Sequence, residues 1–128
     1  MRLLLDTHTF LWWVTNDASL SQTARHLIAD TANEVFVSAA NAWEIAIKTG
    51  IGKLQLPEPP ERYVPDRIAR NGFQPLPITV AHALRVSALP PHHRDPFDRV
   101  LIAQALVEDM PLLTADAMIQ RYAARVLW

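Results

Sequence analysis

The chain has 128 residues, half of them hydrophobic, and a formal net charge of −1. That is the size of one ordinary domain, residues 1–128, with ample material for a core. The absence of cysteine excludes a disulfide framework and a thiolate metal site, and the near-neutral balance does not announce a nucleic-acid binder.

Arg2–Leu5 (RLLL) reads as a short buried strand, followed at once by Asp6. A helix is expected over roughly Thr9–Val14 and a second over Leu20–Ala32. EVFVS (34–38), β-branched and aromatic, is a good strand. Ala39–Thr49 reads as a helix ended by Gly50 and Gly52. In LPEPPERYVP, prolines 57, 59, 60 and 65 predict loop, with a helix only from about Asp66 to Asn71. FQPLPIT (73–79) is a third strand, Val80–Leu89 a helix, and PPHHRDP (90–96) another loop. Phe97–Glu108 is apolar nearly all round, the mark of a buried helix. MPLLT (110–114) is a fourth strand, Asp116–Tyr122 a last helix, and RVLW an edge strand. No apolar run reaches the roughly 20 residues needed to span a bilayer. An acid interrupts the opening MRLLLDTHTF too early for a secretory signal, so a cytoplasmic protein is expected. Strands alternating with helices imply an α/β fold, a parallel sheet covered on both faces, with chemistry at the carboxyl ends of the strands.

Four acids stand out against that framework. Asp6 follows the first strand and Asp116 the fourth. Glu44 is hemmed in by Trp43 and Ile45, and Asp98 opens the most apolar helix. Asp17, Asp30, Asp66, Glu58, Glu61, Glu108 and Asp109 fall in loops or on polar faces, where solvation accounts for them. A carboxylate is costly to bury alone, and several together raise one another's pKa. A hard dication removes both problems, and oxygen ligands suit Mg²⁺ or Mn²⁺. Ions held this way activate water and offset charge on a phosphoryl oxygen, which is nuclease chemistry. Each acid also has a plainer explanation. Asp6 and Asp116 can cap the helices that follow them. Asp95, Pro96 and Asp98 form an N-terminal helix signature, and Glu44 pairs with Lys48 at i,i+4. Four such placements together favour a shared site.

The segments LLLDTH, VSAANAWEIAIKTGIGKL, RDPFDRVLIAQAL and PLLTADAMI resemble, in this order, the motif segments of PIN-domain ribonucleases, in particular VapC-type toxins of bacterial toxin–antitoxin pairs. The resemblance covers essentially the whole chain. It implies a three-layer α/β/α fold with a short parallel sheet of four or five strands. It places Asp6, Glu44, Asp98 and Asp116 as catalytic, metal-binding acids and Ser38 in the serine-then-glutamate helix. It also implies Mg²⁺- or Mn²⁺-dependent endoribonuclease activity, on tRNA or rRNA, homodimerisation, and inhibition by a cognate VapB-type antitoxin.

Around those acids, Thr7, Ser38 and Thr114 are candidates to hydrogen-bond the carboxylates, and Asp95 is a candidate outer-shell residue. Lys48, Arg85, Arg94 and Arg99 are candidates for the RNA backbone. His82, His92 and His93 read as surface or local packing. Trp12, Trp13 and Trp43 read as core or dimer interface. A haloacid-dehalogenase-like phosphatase would need a second Asp where His8 stands. A receiver domain would need an Asp after the third strand, which Gln74–Thr79 does not supply. A non-catalytic PIN-like binding module and a solitary RNA-processing nuclease remain the alternatives.

Overall fold

The computed structural model describes residues 1–128. Arg2–Leu5 forms β1, whose three leucines are fully buried. Asp6 ends the run by capping α1 (Thr7–Val14) through the Thr9 N–H. There follow α2 (Gln22–Ala29), β2 (Glu34–Ser38), α3 (Ala39–Gly50), α4 (Pro60–Arg70), β3 (Gln74–Leu76) and α5 (Val80–Arg85). The chain then runs through α6 (Pro96–Val107), β4 (Leu112–Leu113) and β5 (Val126–Leu127). Single 3₁₀ turns occupy Val86–Ala88 and Ile119–Arg121. No helix is long and apolar enough to cross a membrane.

The five strands form one all-parallel sheet in the order β3-β2-β1-β4-β5. From central β1 the chain winds outward through β2 to β3, then returns to lay β4 against the other side of β1. The order therefore reverses between β1 and β4, and the crevice at their carboxyl ends is where such sheets bind ligands. Alternation along β1 sends Leu3 and Leu5 to one face and Leu4 to the other. On the first face they meet Phe10, Ala24, Ile28, Ile45 and Val64. On the second, Leu4 and Leu112 meet Leu101, Ile102, Ala105 and Met110. These are the two cores of a three-layer α/β/α fold.

The structure departs from the sequence reading most clearly at 60–65. The proline-rich segment read as loop is the first half of α4, with Pro60 in the opening turn and Pro65 inside the helix. Pro60 loses nothing there, because the first helical N–H groups have no partner anyway. An interior proline costs about 3 kcal/mol. Tyr63 and Val64 bury on the same turn, at about 1.5–3 kcal/mol for each fully buried side chain, and Arg67 lies over the Tyr63 ring at 4.3 Å. Tertiary packing thus outweighs the local penalty. The helix expected over Asp116–Tyr122 shrinks to a 3₁₀ turn, and that over Val80–Leu89 breaks after Arg85. Trp43, read as core or interface, is 49% exposed and meets Phe97 edge-on.

Two polar residues hold the α5–α6 side. His82 is 1% exposed. Its Nδ1 accepts from the Thr79 N–H at 3.0 Å, so Nε2 carries the proton toward Glu108 at 2.9 Å. Arg99, read as a candidate RNA contact, is committed inside the chain instead. Its guanidinium donates to the Pro90, His93, Val86 and Leu89 carbonyls and to the Tyr122 hydroxyl at 3.0–3.4 Å. It ties the 86–93 segment to α6. Arg99→Ala should lower stability by about 1–3 kcal/mol in urea unfolding, because several carbonyls lose a charged donor. Arg99→Lys should recover little, since an ammonium cannot span them. Unchanged stability in Arg99→Ala would return Arg99 to the RNA candidates.

Candidate active site

Asp6 stands at the carboxyl end of β1, 6% exposed. One of its oxygens accepts the Thr9 N–H at 2.8 Å, and the other accepts the Thr114 hydroxyl. Thr114 follows β4, so the bond spans the point where the sheet order reverses. The Asp116 N–H donates into the Thr114 oxygen at 3.0 Å. With that oxygen already accepting, its single proton is directed to Asp6. Burial raises the Asp6 pKa, and the hydrogen bonds from Thr114 and Thr9 pull it partly back.

The same device recurs at Glu44, buried on the inner face of α3. The Thr7 hydroxyl donates to Glu44 Oε1 at 2.6 Å and receives the Asn41 amide at 3.0 Å. Asn41 is itself oriented, because its Oδ1 accepts the Ser38 N–H at 2.7 Å. Glu44 Oε2 pairs with Lys48, and that hydrogen bond raises the Lys48 pKa. Ser38, expected to touch a carboxylate, does not. Its hydroxyl caps α3 through the Ala40 N–H and donates to Gln104 of α6.

Asp95 caps α6, accepting from the Phe97 and Asp98 N–H groups at 2.9 and 3.0 Å. That leaves Asp98 without cap duty in the first turn. Its pKa is pushed up to about 7, first by burial and then by the charges of Asp95, Glu44, Asp6 and Asp116. The fold therefore brings the other three sequence-predicted acids, and Asp95, within electrostatic reach of Asp98. They stop short of a finished cage, since no three His, Asp or Glu groups are set to grip an ion as they stand. Asp6, Glu44 and Asp95 are each turned toward a protein donor instead. The donor set is all oxygen and carries repulsion that a hard dication would relieve, so it fits Mg²⁺ or Mn²⁺.

Two residues of this neighbourhood were not singled out by the sequence reading, and a third was given a plainer part than it has. Asn41 was visible only as a polar residue three positions after a cap, the spacing of a capping box. Gln104, 0% exposed on an apolar helix, bonds Ser38 from 66 residues away. His93, read as local packing, has its Nε2 3.5 Å from Asp98 while its Nδ1 faces Tyr122 at 2.9 Å. Of the cationic candidates, Lys48 is paired with Glu44, whereas Arg85 and Arg94 join none of the chain's ion pairs.

The Asp98 shift has a definite sign. A carboxyl that ionises near 7 when folded and at 3.8 ordinarily costs the fold nothing below the lower value. The cost grows as pH rises between the two and is complete above the upper one. In EDTA, Asp98→Asn should therefore raise the melting temperature by a few degrees at about pH 8 and leave it unchanged at about pH 4. Differential scanning calorimetry at both pH values checks this. A loss of stability at both would mean that Asp98 serves chiefly the helix terminus.

The PIN domain family model matches residues 3–125. Ribonuclease VapC16 of Mycobacterium tuberculosis is 50% identical over 58 residues, a stretch spanning 45% of this chain and 41% of that protein's length. Ribonuclease VapC22 of the same organism is 29% identical over 121 residues, covering 94% of this chain and 91% of the relative. Among solved structures, VapBC2 from Rickettsia felis bound to a promoter DNA fragment aligns with a TM-score of 0.74 at 14% identity, covering 100% of this chain and 99% of that one. DNA-bound VapBC from Salmonella typhimurium aligns at 0.72 with 17% identity, covering 99% and 97%. These two likenesses speak for the fold. With the PIN domain model spanning residues 3–125, nearly the whole length, the chain belongs to the PIN-domain family.

Proposed function

We propose that this protein is a divalent-metal-dependent endoribonuclease of the cytoplasm, the toxin of a toxin–antitoxin pair, hydrolysing phosphodiesters in tRNA or rRNA. The observation that carries the reading is the crevice between β1 and β4, where burial and then four neighbouring carboxylates push the Asp98 pKa up to about 7. Structural proteins rarely gather such a group without a use for it. Two relatives named as ribonucleases, one aligned over 94% of the chain and one over 45%, support the same activity.

Asp6, Glu44, Asp98 and Asp116 would hold one or two ions, directly or through water. A bound Mg²⁺ or Mn²⁺ supplies Lewis acidity, making water a better nucleophile and offsetting charge on the phosphoryl group. The chain's own residues do the rest. Thr114 and Thr7 fix Asp6 and Glu44, each hydroxyl locked as a donor by the group behind it. Asp116, only half-buried, or Glu44 would orient the attacking water.

The antitoxin would lie in the apolar groove between α3 and α4, about 1340 Å³ in volume. Ala42 and Ala46 keep one wall low, and Val64, Pro65 and Ile68 form the other. Neighbours solved as VapBC assemblies support a partner of that kind. For a homodimer, the outward apolar face of α5, with Val80 and Leu84 mostly exposed, is the surface that supports self-association.

Asp6→Asn or Asp98→Asn should reduce RNA cleavage at least a hundredfold, relieve growth arrest on expression, and leave the circular dichroism spectrum unchanged. EDTA should stop wild-type cleavage and Mg²⁺ restore it. Wild-type rates in either variant would refute the assignment. Asn41→Asp should reverse the Thr7 proton, because the new carboxylate can only accept. A fall in kcat of roughly tenfold or more is expected, with KM within about twofold, and wild-type kcat would show that the direction of Thr7 is immaterial.

A further inference from the structure

Beside the carboxylate crevice, across Glu44, lies a second cavity of about 270 Å³ between α1 and the end of α3. It is small against the roughly 300–1,000 Å³ of sites for drug-sized ligands. Leu11, Ile45 and Leu54 form its apolar walls, and His8, Lys48 and Lys53 line its polar side together with Thr7 and Glu44, which are already bonded to each other. Lys53 has no part in the acid cluster, and His8 touches it only through its charge, which pulls the Asp6 pKa slightly down.

The chain builds this place deliberately. Gly52 takes φ +75°, a left-handed conformation that glycine adopts without strain at a helix end. The Lys53 and Leu54 N–H groups then both turn back to the Lys48 carbonyl, at 2.9 and 3.2 Å. The reversal sets a second lysine beside the last turn of α3. Lys48 is neutralised by Glu44, whereas none of the chain's ion pairs includes Lys53. Lys53 is therefore an uncompensated cation on the flank of an anionic site. On the α1 side, His8 is exposed and stacks on Trp12 with centroids 5.5 Å apart and planes within 25°. Trp12 is backed in turn by Trp128 at 5.9 Å. The imidazole is a braced aromatic plate with one face covered and the other side open to solvent.

We propose that this cavity is a nucleotide subsite, in which Lys53 takes the phosphate of the nucleotide flanking the scissile bond and His8 stacks on its base. The proposal rests on the ribonuclease reading. An RNA strand entering the carboxylate crevice brings phosphates toward like charge. A free lysine one step away offsets that repulsion at the next phosphate. The neighbouring ring supplies a stacking surface that any base can use. A cation and an aromatic face sharing one small cavity match a nucleotide better than a free anion, which has no use for the plate.

The test is steady-state cleavage of a short single-stranded oligoribonucleotide in Mg²⁺. Lys53→Ala should raise KM about tenfold with kcat within twofold. It should also flatten the salt dependence of log(kcat/KM) by about 0.7, one single-strand phosphate contact, and Lys53→Arg should restore most of both. His8→Ala should raise KM severalfold without changing the salt slope, and His8→Phe should keep wild-type KM. AMP should inhibit the wild type at lower concentration than inorganic phosphate, an advantage lost in His8→Ala. Wild-type KM and salt slope in Lys53→Ala would overturn the subsite, as would an effect confined to kcat. Asp98→Asn measured alongside separates the two readings. If it abolishes cleavage while Lys53→Ala behaves as wild type, the subsite fails and the nuclease stands. If the wild type cuts no RNA but binds AMP in EDTA through Lys53, the nuclease reading fails instead.

Discussion

Repulsion between carboxylates in a partly buried crevice is the constraint around which this molecule is arranged. Asp6, Glu44, Asp98 and Asp116 come from four separate elements, and nothing local obliges them to meet. They meet because β1 sits at the centre of the sheet and β4 returns to its side, which forces the carboxyl ends of both strands to face one crevice. The strain appears at Asp98, where burial first and the neighbouring charges second push the pKa up to about 7. At Asp6 and Glu44, hydroxyl donors that cannot turn away hold the carboxylates in place. A threonine oxygen filled from behind by a backbone N–H or an amide has one place left to send its proton. The two carboxylates closest to the sheet are thereby fixed in orientation.

The apolar framework was legible because its signals are short-range. RLLL and EVFVS announce buried strands, and the all-round apolar run after Asp95-Pro96 announces a buried helix with an ordinary start. Reading failed where tertiary packing overrode local preference. Pro65 argues for a break that the burial of Tyr63 and Val64 forbids. The end of the chain erred in the opposite direction, since Asp116 and its neighbours are good helix openers but are held by Thr114 in a turn.

At the site, the four acids were legible from their setting, each placed where solvation could not explain it. Their supports were less so. Thr7 and Thr114 stand next to a strand end, and proximity suggested them. Ser38 was named by the same reasoning and turned out to face Gln104. Asn41, Gln104 and His93 act on residues that the chain brings near only after folding, and no spacing in the sequence records those meetings. Arg99 shows the reverse, since its composition-based promise as a phosphate ligand is spent on four carbonyls and a phenol within its own domain.

The bond between Thr114 and Asp6 joins residues 108 positions apart. A nascent chain emerging from the ribosome thus exposes its first acid long before the strand that completes the crevice has been translated. Until β4 docks, the pocket has only one wall and no reversal of strand order. The crevice is thus a product of the completed sheet, and a partly made chain carries its first acid without the strand that turns it into a site.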